Sequence, residues 1–253
     1  MIKLPIALGL YSVRATLFTD MPGTLKKVKE MGYDGIEFYG PFSYLPSAVL
    51  KALKENDLKI CGWHVMLDAL EGVNFDATVA YMKAIGVENL VVPYLDGNSA
   101  EEWKALGIRM GAAAEKLQAQ GINLGYHNHA HEFTKVYDGK TAWDILFENM
   151  PECVFPQIDT GNGMQGGMDL NNELNKYQGR LQTLHFKPFK AGAASDGHDI
   201  MFDVDDHDLK SEISMCEAGG LTWLVIEFET ENTYSQMGGA REALRTFKQK
   251  YDC

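Results

Sequence analysis

Cysteine is scarce in this chain, and Cys61, Cys153, Cys216 and Cys253 form neither a CxxC pair nor a dense framework. That excludes the disulfide scaffold of small secreted domains and fits a reducing compartment. Long apolar runs are missing too: no stretch approaches the roughly 18 uninterrupted apolar residues of a membrane span. The opening MIKLPIALGLYSV is broken by Pro5 and Gly9 and has no small-residue cleavage site after it, so it reads as a first strand and not as a signal. A cytoplasmic protein with no membrane partner is expected. Positive charge is also short, with 23 Lys and Arg against 35 Asp and Glu, a net −12. A sequence-independent grip on phosphate backbones needs the opposite sign, so nucleic acid is not an expected partner. No linker or low-complexity tract divides the chain.

What is there is globular: 45% hydrophobic and 23% charged residues over 253 positions, enough for a sizeable core. One punctuation mark recurs, an amphipathic run ending in glycine followed by a β-rich apolar run, as in KEMGYDGIEF, KAIGVENLVV, QAQGINLGYH and CEAGGLTWLVIEF. Gly32, Gly86, Gly121 and Gly219 suit left-handed helix ends. Counting from these junctions gives strands near 6–11, 34–38, 59–65, 89–93, 122–128, 154–158, 181–186 and 222–228, separated by helical periodicity, with a last helix near 238–250. Ser99 to Glu102 and Thr141 to Asp144 have the spacing of capping boxes. Eight strand-then-helix units imply a single-domain (β/α)8 TIM barrel over residues 1–253. The stretch 188–206 exceeds an ordinary connection and reads as a mouth or binding loop, the alternative being a disordered insertion.

In such a barrel, functional groups gather where strands end. The strand ends hold Tyr11, Glu37, His64, the cluster His127-Asn-His-Ala-His131-Glu132, Asp159, His185, Lys187, Glu227 and Glu229. Each alone has a bland reading, a packed histidine or a solvated acid. Together they conflict: strands five to eight each end in a nitrogen or carboxylate ligand, and such groups on one bowl need a cation.

The runs YHNHAHEF (126–133), QIDTGNG (157–163), LHFKPF (184–189) and LVIEFE (224–229), with GLYSVR (9–14) and MGYDGIEF (31–38), resemble the sugar phosphate isomerase/epimerase proteins of the xylose isomerase-like barrel superfamily, whose relatives include ketose epimerases and inosose dehydratases. The resemblance runs over essentially the whole chain. It implies one divalent metal, Mn²⁺, Zn²⁺, Mg²⁺ or Co²⁺, with Asp159, His185 and Glu227 as ligands. The fourth position departs from the pattern: His127 stands where relatives carry a glutamate, and Glu132 is the alternative, as a metal ligand or a substrate contact. The implied activity is a metal-dependent isomerase/epimerase acting on a small polyhydroxylated carbonyl compound, by proton transfer alpha to a polarised carbonyl through an enediolate. Glu227 is the base, His127 a shuttle when free of metal, and Lys187 sits against an oxyanion or phosphate. The bland reading of Lys187 is a salt bridge to a nearby acid. Tyr11, Glu37, His64, His129 and Glu132 are the expected substrate contacts. The loss of one glutamate also raises a lyase or dehydratase, which needs one base and an acid at the leaving hydroxyl, and a sugar-binding barrel without chemistry. A homo-oligomer is compatible with such a barrel.

Other patterns are discounted. Gly161, Gly163 and Gly166 match GxGxxG, but in the sixth unit and without a ribose-binding acid after the next strand, so they are read as a tight turn beside Asp159. His127 and His129 form an HxH pair, which barrel hydrolases carry on the first strand and not the fifth. A related fold cleaves abasic DNA with three zinc ions, which the charge opposes. Tyr11, Trp63, Tyr94, Phe186 and Trp223 are candidates to line a sugar pocket, with the core as the competing place for each.

Overall fold

The computed structural model describes residues 2–40, 43–193, 198–230 and 233–252. Its parallel barrel strands are β1 Ile6–Gly9, β2 Gly35–Tyr39, β3 Lys59–His64, β4 Asn89–Val92, β5 Asn123–His127, β6 Val154–Gln157, β7 Thr183–Phe186 and β8 Trp223–Ile226. They are hydrogen-bonded in the order β6-β5-β4-β3-β2-β1-β8-β7. The remaining seam closes just beyond β6 through a parallel bridge between Asp159 and His185, where His185 N–H donates to Ile158 O at 2.9 Å. Two of the expected metal ligands therefore sit on the closing seam.

The elements follow from local signals. Gly32 (φ 100°) and Gly86 (φ 81°) take the left-handed conformation that ends helices Met21–Met31 and Phe75–Ile85. Gly219 does not: it stays at φ −80°, and Gly220 at φ 99° makes the left-handed turn instead. Ser99 Oγ accepts from Glu102 N at 3.2 Å and Thr141 Oγ1 from Asp144 N at 3.1 Å, the expected caps. The first strand is shorter than expected, because Leu10–Val13 winds into a 3₁₀ turn that carries Tyr11 above the strand edge.

Strand alternation divides the side chains. Leu8, Ile36, Leu90, Leu124, Leu184 and Leu224 are buried in the main core beneath the helices, where each contributes about 1.5–3 kcal/mol of burial. Trp63 belongs to that outer layer, stacked on Phe38 at 4.3 Å. Trp223 packs with Ala7, Cys61 and Val225 on the barrel floor. Small inward residues make room for large neighbours: a Cβ on Gly35 would meet the Trp223 ring at 2.8 Å, one on Gly62 would meet Glu37 Oε1 at 2.9 Å, and one on Gly125 would meet the Phe155 ring at 2.5 Å.

Within 188–206, residues 194–197 lie outside the described residues. The described remainder folds back on the barrel, with Ile200, Met201 and Phe202 buried and the Phe202 ring 5.1 Å from Phe247. Residues 161–166 form most of the short helix Thr160–Gln165 and its cap, not a bare turn. Among the described residues no helix is long and apolar enough to cross a membrane.

Candidate metal centre

The same alternation that buries leucines outside brings polar groups inside. Glu37, His64, His127, Gln157, His185 and Glu227 each lie two residues past an inward position of their strand, at the C-terminal edge of the barrel. Asp159 follows β6 and caps helix Thr160–Gln165, its Oδ1 accepting from Asn162 N at 2.7 Å. Asn128 clamps the Asp159 main chain from both sides, donating to its O at 3.1 Å and accepting from its N at 2.8 Å. One carboxylate oxygen is thus engaged, and Oδ2 is left buried without a hydrogen-bond partner.

His127, Asp159, His185 and Glu227 are all buried, and each offers a ligand atom within 4.8 Å of the others. His127 Nε2 and His185 Nδ1 each lie 4.0 Å from Asp159 Oδ2. His185 Nδ1 is 3.2 Å from Glu227 Oε2, yet it is not aligned for a hydrogen bond. A layer behind these atoms fixes which ring nitrogen faces them. Gln157 Nε2 donates to Glu37 Oε1 and Thr183 Oγ1, both at 2.7 Å, so its Oε1 must face the histidines as an acceptor. It takes His127 Nδ1–H at 3.0 Å and His64 Nε2–H at 2.8 Å. His185 Nε2–H donates to Glu37 Oε2 at 2.6 Å. His127 is therefore held with an unprotonated Nε2 towards Asp159, as outer partners hold metal-binding imidazoles, while His185 turns Nδ1 towards Asp159 and Glu227, which favour a proton on it in the absence of a cation.

Charge makes the same demand. Burial would raise the Glu37 carboxyl, but His64 and His185 hold it low. Burial also opposes ionisation of Glu227, and His185 and Lys187 outweigh it. Burial pushes Asp159 up to about 7 and His127 well down. Burial would likewise lower His185, yet Glu37 and Glu227 drive it up to about 10. A proton on His185 or a cation among the four groups is what these carboxylates require. Two imidazole nitrogens and two carboxylates make a suitable donor set for Zn²⁺, Mn²⁺ or Co²⁺, and the orphaned Asp159 Oδ2 and His185 Nδ1 are the atoms such an ion would satisfy.

The other expected residues divide. His64, His127, His129, Tyr11 and Glu227 line a cleft of about 390 Å³ together with Tyr39, Met66, Pro93, Tyr94 and Glu229. Glu37 does not line it, lying behind the histidines. Glu132 is not brought to the four-residue cluster: Tyr126 O–H donates to its Oε1 at 2.5 Å and His129 N–H to its Oε2 at 2.8 Å. It joins a separate group with His129 and His131, and burial raises its carboxyl to about 8. Lys187 is 4% exposed and takes the salt-bridge reading, 2.6 Å from Glu229 Oε1 and 3.8 Å from Glu227 Oε1. Its burial is outweighed by Glu227, Asp159 and Glu229, which raise its affinity for its proton. Burial lowers His129 to about 4, so it is neutral near pH 7. Sequence reasoning missed Gln157 and Tyr39 and gave Asn128 no role. Gln157 had a readable signal, since it stands two residues before Asp159 on the same strand face.

The family model described as xylose isomerase-like TIM barrel matches residues 25–250. An inosose dehydratase of Geobacillus kaustophilus (strain HTA426) is 32% identical over 101 residues, 40% of this chain and 30% of its own length. That match spans less than a third of the curated relative. Among solved structures, a sugar phosphate isomerase/epimerase from Parabacteroides distasonis ATCC 8503 has a TM-score of 0.76 at 18% identity, covering 99% of this chain and 95% of its own. The IOLI protein with a binding zinc atom has a TM-score of 0.70 at 13% identity, covering 98% of each chain. At these identities both structures speak for the fold alone.

Proposed function

This chain belongs to the xylose isomerase-like TIM barrel family, and from that premise we propose that it is a divalent-metal-dependent enzyme that removes a proton alpha to the carbonyl of a polyhydroxylated compound with a single base, Glu227, and completes the reaction by elimination. The observation that carries this reading is the Nδ1–H of His127 on Gln157 at 3.0 Å. With that nitrogen committed and Nε2 turned to the ligand cluster, His127 offers no second base on the opposite face, which epimerisation at one carbon needs.

His127, Asp159, His185 and Glu227 would hold the cation, which supplies an electrophile for the carbonyl oxygen and stabilises the charge developing there. Glu227 lines the cleft and is kept ionised against its burial by His185 and Lys187, so it is ready to accept a proton. The carbon–hydrogen pair becomes the new carbon–carbon π bond as the β carbon–oxygen bond breaks. The departing oxygen is protonated by Tyr11, a phenol in the cleft wall whose proton burial retains, and the cycle closes as Glu227 releases to solvent the proton it took and Tyr11 regains one from solvent. Similarity to an inosose dehydratase supports elimination. The second reading is isomerisation on one face, which also needs one base, and the sugar phosphate isomerase/epimerase likeness supports it.

The test is solvent-deuterium exchange and product analysis by mass spectrometry on an inosose and on ketohexoses, with and without added Mn²⁺. Exchange with loss of water or alcohol is expected, and exchange with an isomeric product selects the second reading. Neither change in the presence of metal, or activity persisting in Glu227→Gln, would sink the proposal. That variant is expected to lose about 10²–10⁴-fold in exchange rate.

A further inference from the structure

The cleft over Glu227 does not end at the polar groups. It continues into a second space of about 280 Å³, walled on one side by Gly40, Val65 and Ala69. Tyr39, His64, Met66 and Pro93 border both spaces. Apart from His64 and the hydroxyl of Tyr39, the second space is bounded by apolar or backbone-only groups, and Met66 is left 54% exposed at the junction. An apolar cavity of about 150 Å³ holds a benzene molecule, so this one has room for a substituted ring.

The polar space has the opposite bias from a phosphate site. Glu227 and Glu229 line it, and no Lys or Arg among the described residues lines either space. Lys187 is buried against Glu229 at 2.6 Å, and Arg14 is folded over the Tyr11 ring at 4.1 Å. The residues outside the described ranges include no Lys or Arg. A phosphate group, with a charge of about −1.5 to −2, would meet carboxylates there without a basic side chain to pair with.

We infer that the substrate is an unphosphorylated sugar carrying an apolar substituent, its hydroxylated ring over Glu227, His127 and His129 and its substituent in the space beside Val65, Met66 and Ala69. This deepens the functional reading above and rests on it for the placement of the sugar ring. The two lobes explain each other: the polar one orients the hydroxyls, and the apolar one, continuous with it, removes the substituent from water.

The test is binding by isothermal calorimetry to the protein with Mn²⁺ added, using methyl β-D-glucopyranoside, phenyl β-D-glucopyranoside and D-glucose 6-phosphate. The phenyl glycoside is expected to bind about tenfold or more tightly than the methyl one, from the apolar area buried. Ala69→Leu fills the second space and should reduce that preference to under about threefold. Met66→Ser alters an exposed wall and should lower it in the same direction. Equal affinity for the two glycosides, a preference untouched by both variants, tighter binding of the phosphate, or no saturable binding of the phenyl glycoside would each overturn the inference. Binding needs no turnover, so a phenyl preference in a protein that exchanges no ketone proton would keep this inference and defeat the functional reading.

Discussion

Replacing Gln157 with leucine keeps the volume on β6 and removes the amide that four buried side chains share. His127 Nδ1 loses its acceptor at 3.0 Å, and Thr183 Oγ1 and Glu37 Oε1 each lose a donor at 2.7 Å. His64 keeps Glu37 at 2.9 Å. The groups left most clearly unsatisfied are the His127 N–H and the Thr183 hydroxyl, at about 1–3 kcal/mol each. Metal-free stability should therefore fall by about 2–6 kcal/mol in urea unfolding. The second effect is on metal affinity. Without Gln157 the His127 ring is no longer held with Nε2 unprotonated, and loss of such an outer partner weakens binding by about 10–100-fold, about 1.4–2.8 kcal/mol. Competition for Zn²⁺ against a chromophoric chelator measures it. Affinity within about threefold of wild type beside the expected loss of stability would refute the tautomer argument and leave Gln157 a packing residue.

Three other changes probe the charge and hydrogen-bond balance. Lys187→Met leaves the buried Glu227 and the half-buried Glu229 without their cation, which should cost about 3–5 kcal/mol in the metal-free protein, and saturating Mn²⁺ should restore part of it. A loss that metal does not alter would contradict the charge argument. Glu132, pushed up to about 8 by burial, is an acid with a raised folded value, so its contribution is full below its ordinary range and disappears as pH rises through about 8. Wild type should lose stability relative to Glu132→Gln over that interval, and a pH-independent difference would rule this out. Gly125→Ala drives a Cβ to 2.5 Å from the Phe155 ring and should cost about 1–3 kcal/mol. Recovery of most of that in a double variant with Phe155→Leu would locate the clash, and no recovery would place the cost elsewhere.

The barrel was legible because each unit repeats the same local physics: glycine after a helix, then a short apolar run. Its errors fell where one residue decides a dihedral, as at Gly219 and Gly220, or where a strand gives way to a 3₁₀ turn below Tyr11. The cluster of His127, Asp159, His185 and Glu227 was legible because strand ends converge by topology. The roles of Glu37 and Glu132 were not. A strand-end acid can face the cleft or the back of a histidine, and which one holds depends on partners far off in the chain. Glu37 finds His185, 148 positions away, in space that Gly62 leaves open. Glu132 is turned by the short helix His131–Thr134 towards Tyr126. Gln157 could have been read from alternation, but a lone glutamine carries no charge or ligand signal.

The histidine at position 127 is tied to β6 and cannot be weighed as an isolated substitution. Gln157 is oriented by two obligations of its amide nitrogen, Glu37 and Thr183, each at 2.7 Å. Its oxygen is then fixed towards position 127, where only a donor is tolerated. A glutamate there would set carboxylate lone pairs against an amide oxygen in a buried site. It would also add a negative charge to a cluster in which Glu37, Asp159 and Glu227 already outnumber Lys187, the one buried lysine among the described residues. A neutral imidazole satisfies the oxygen, still presents a ligand nitrogen, and leaves a divalent cation able to offset most of the excess charge. Placing a carboxylate at position 127 would therefore also require a donor at position 157.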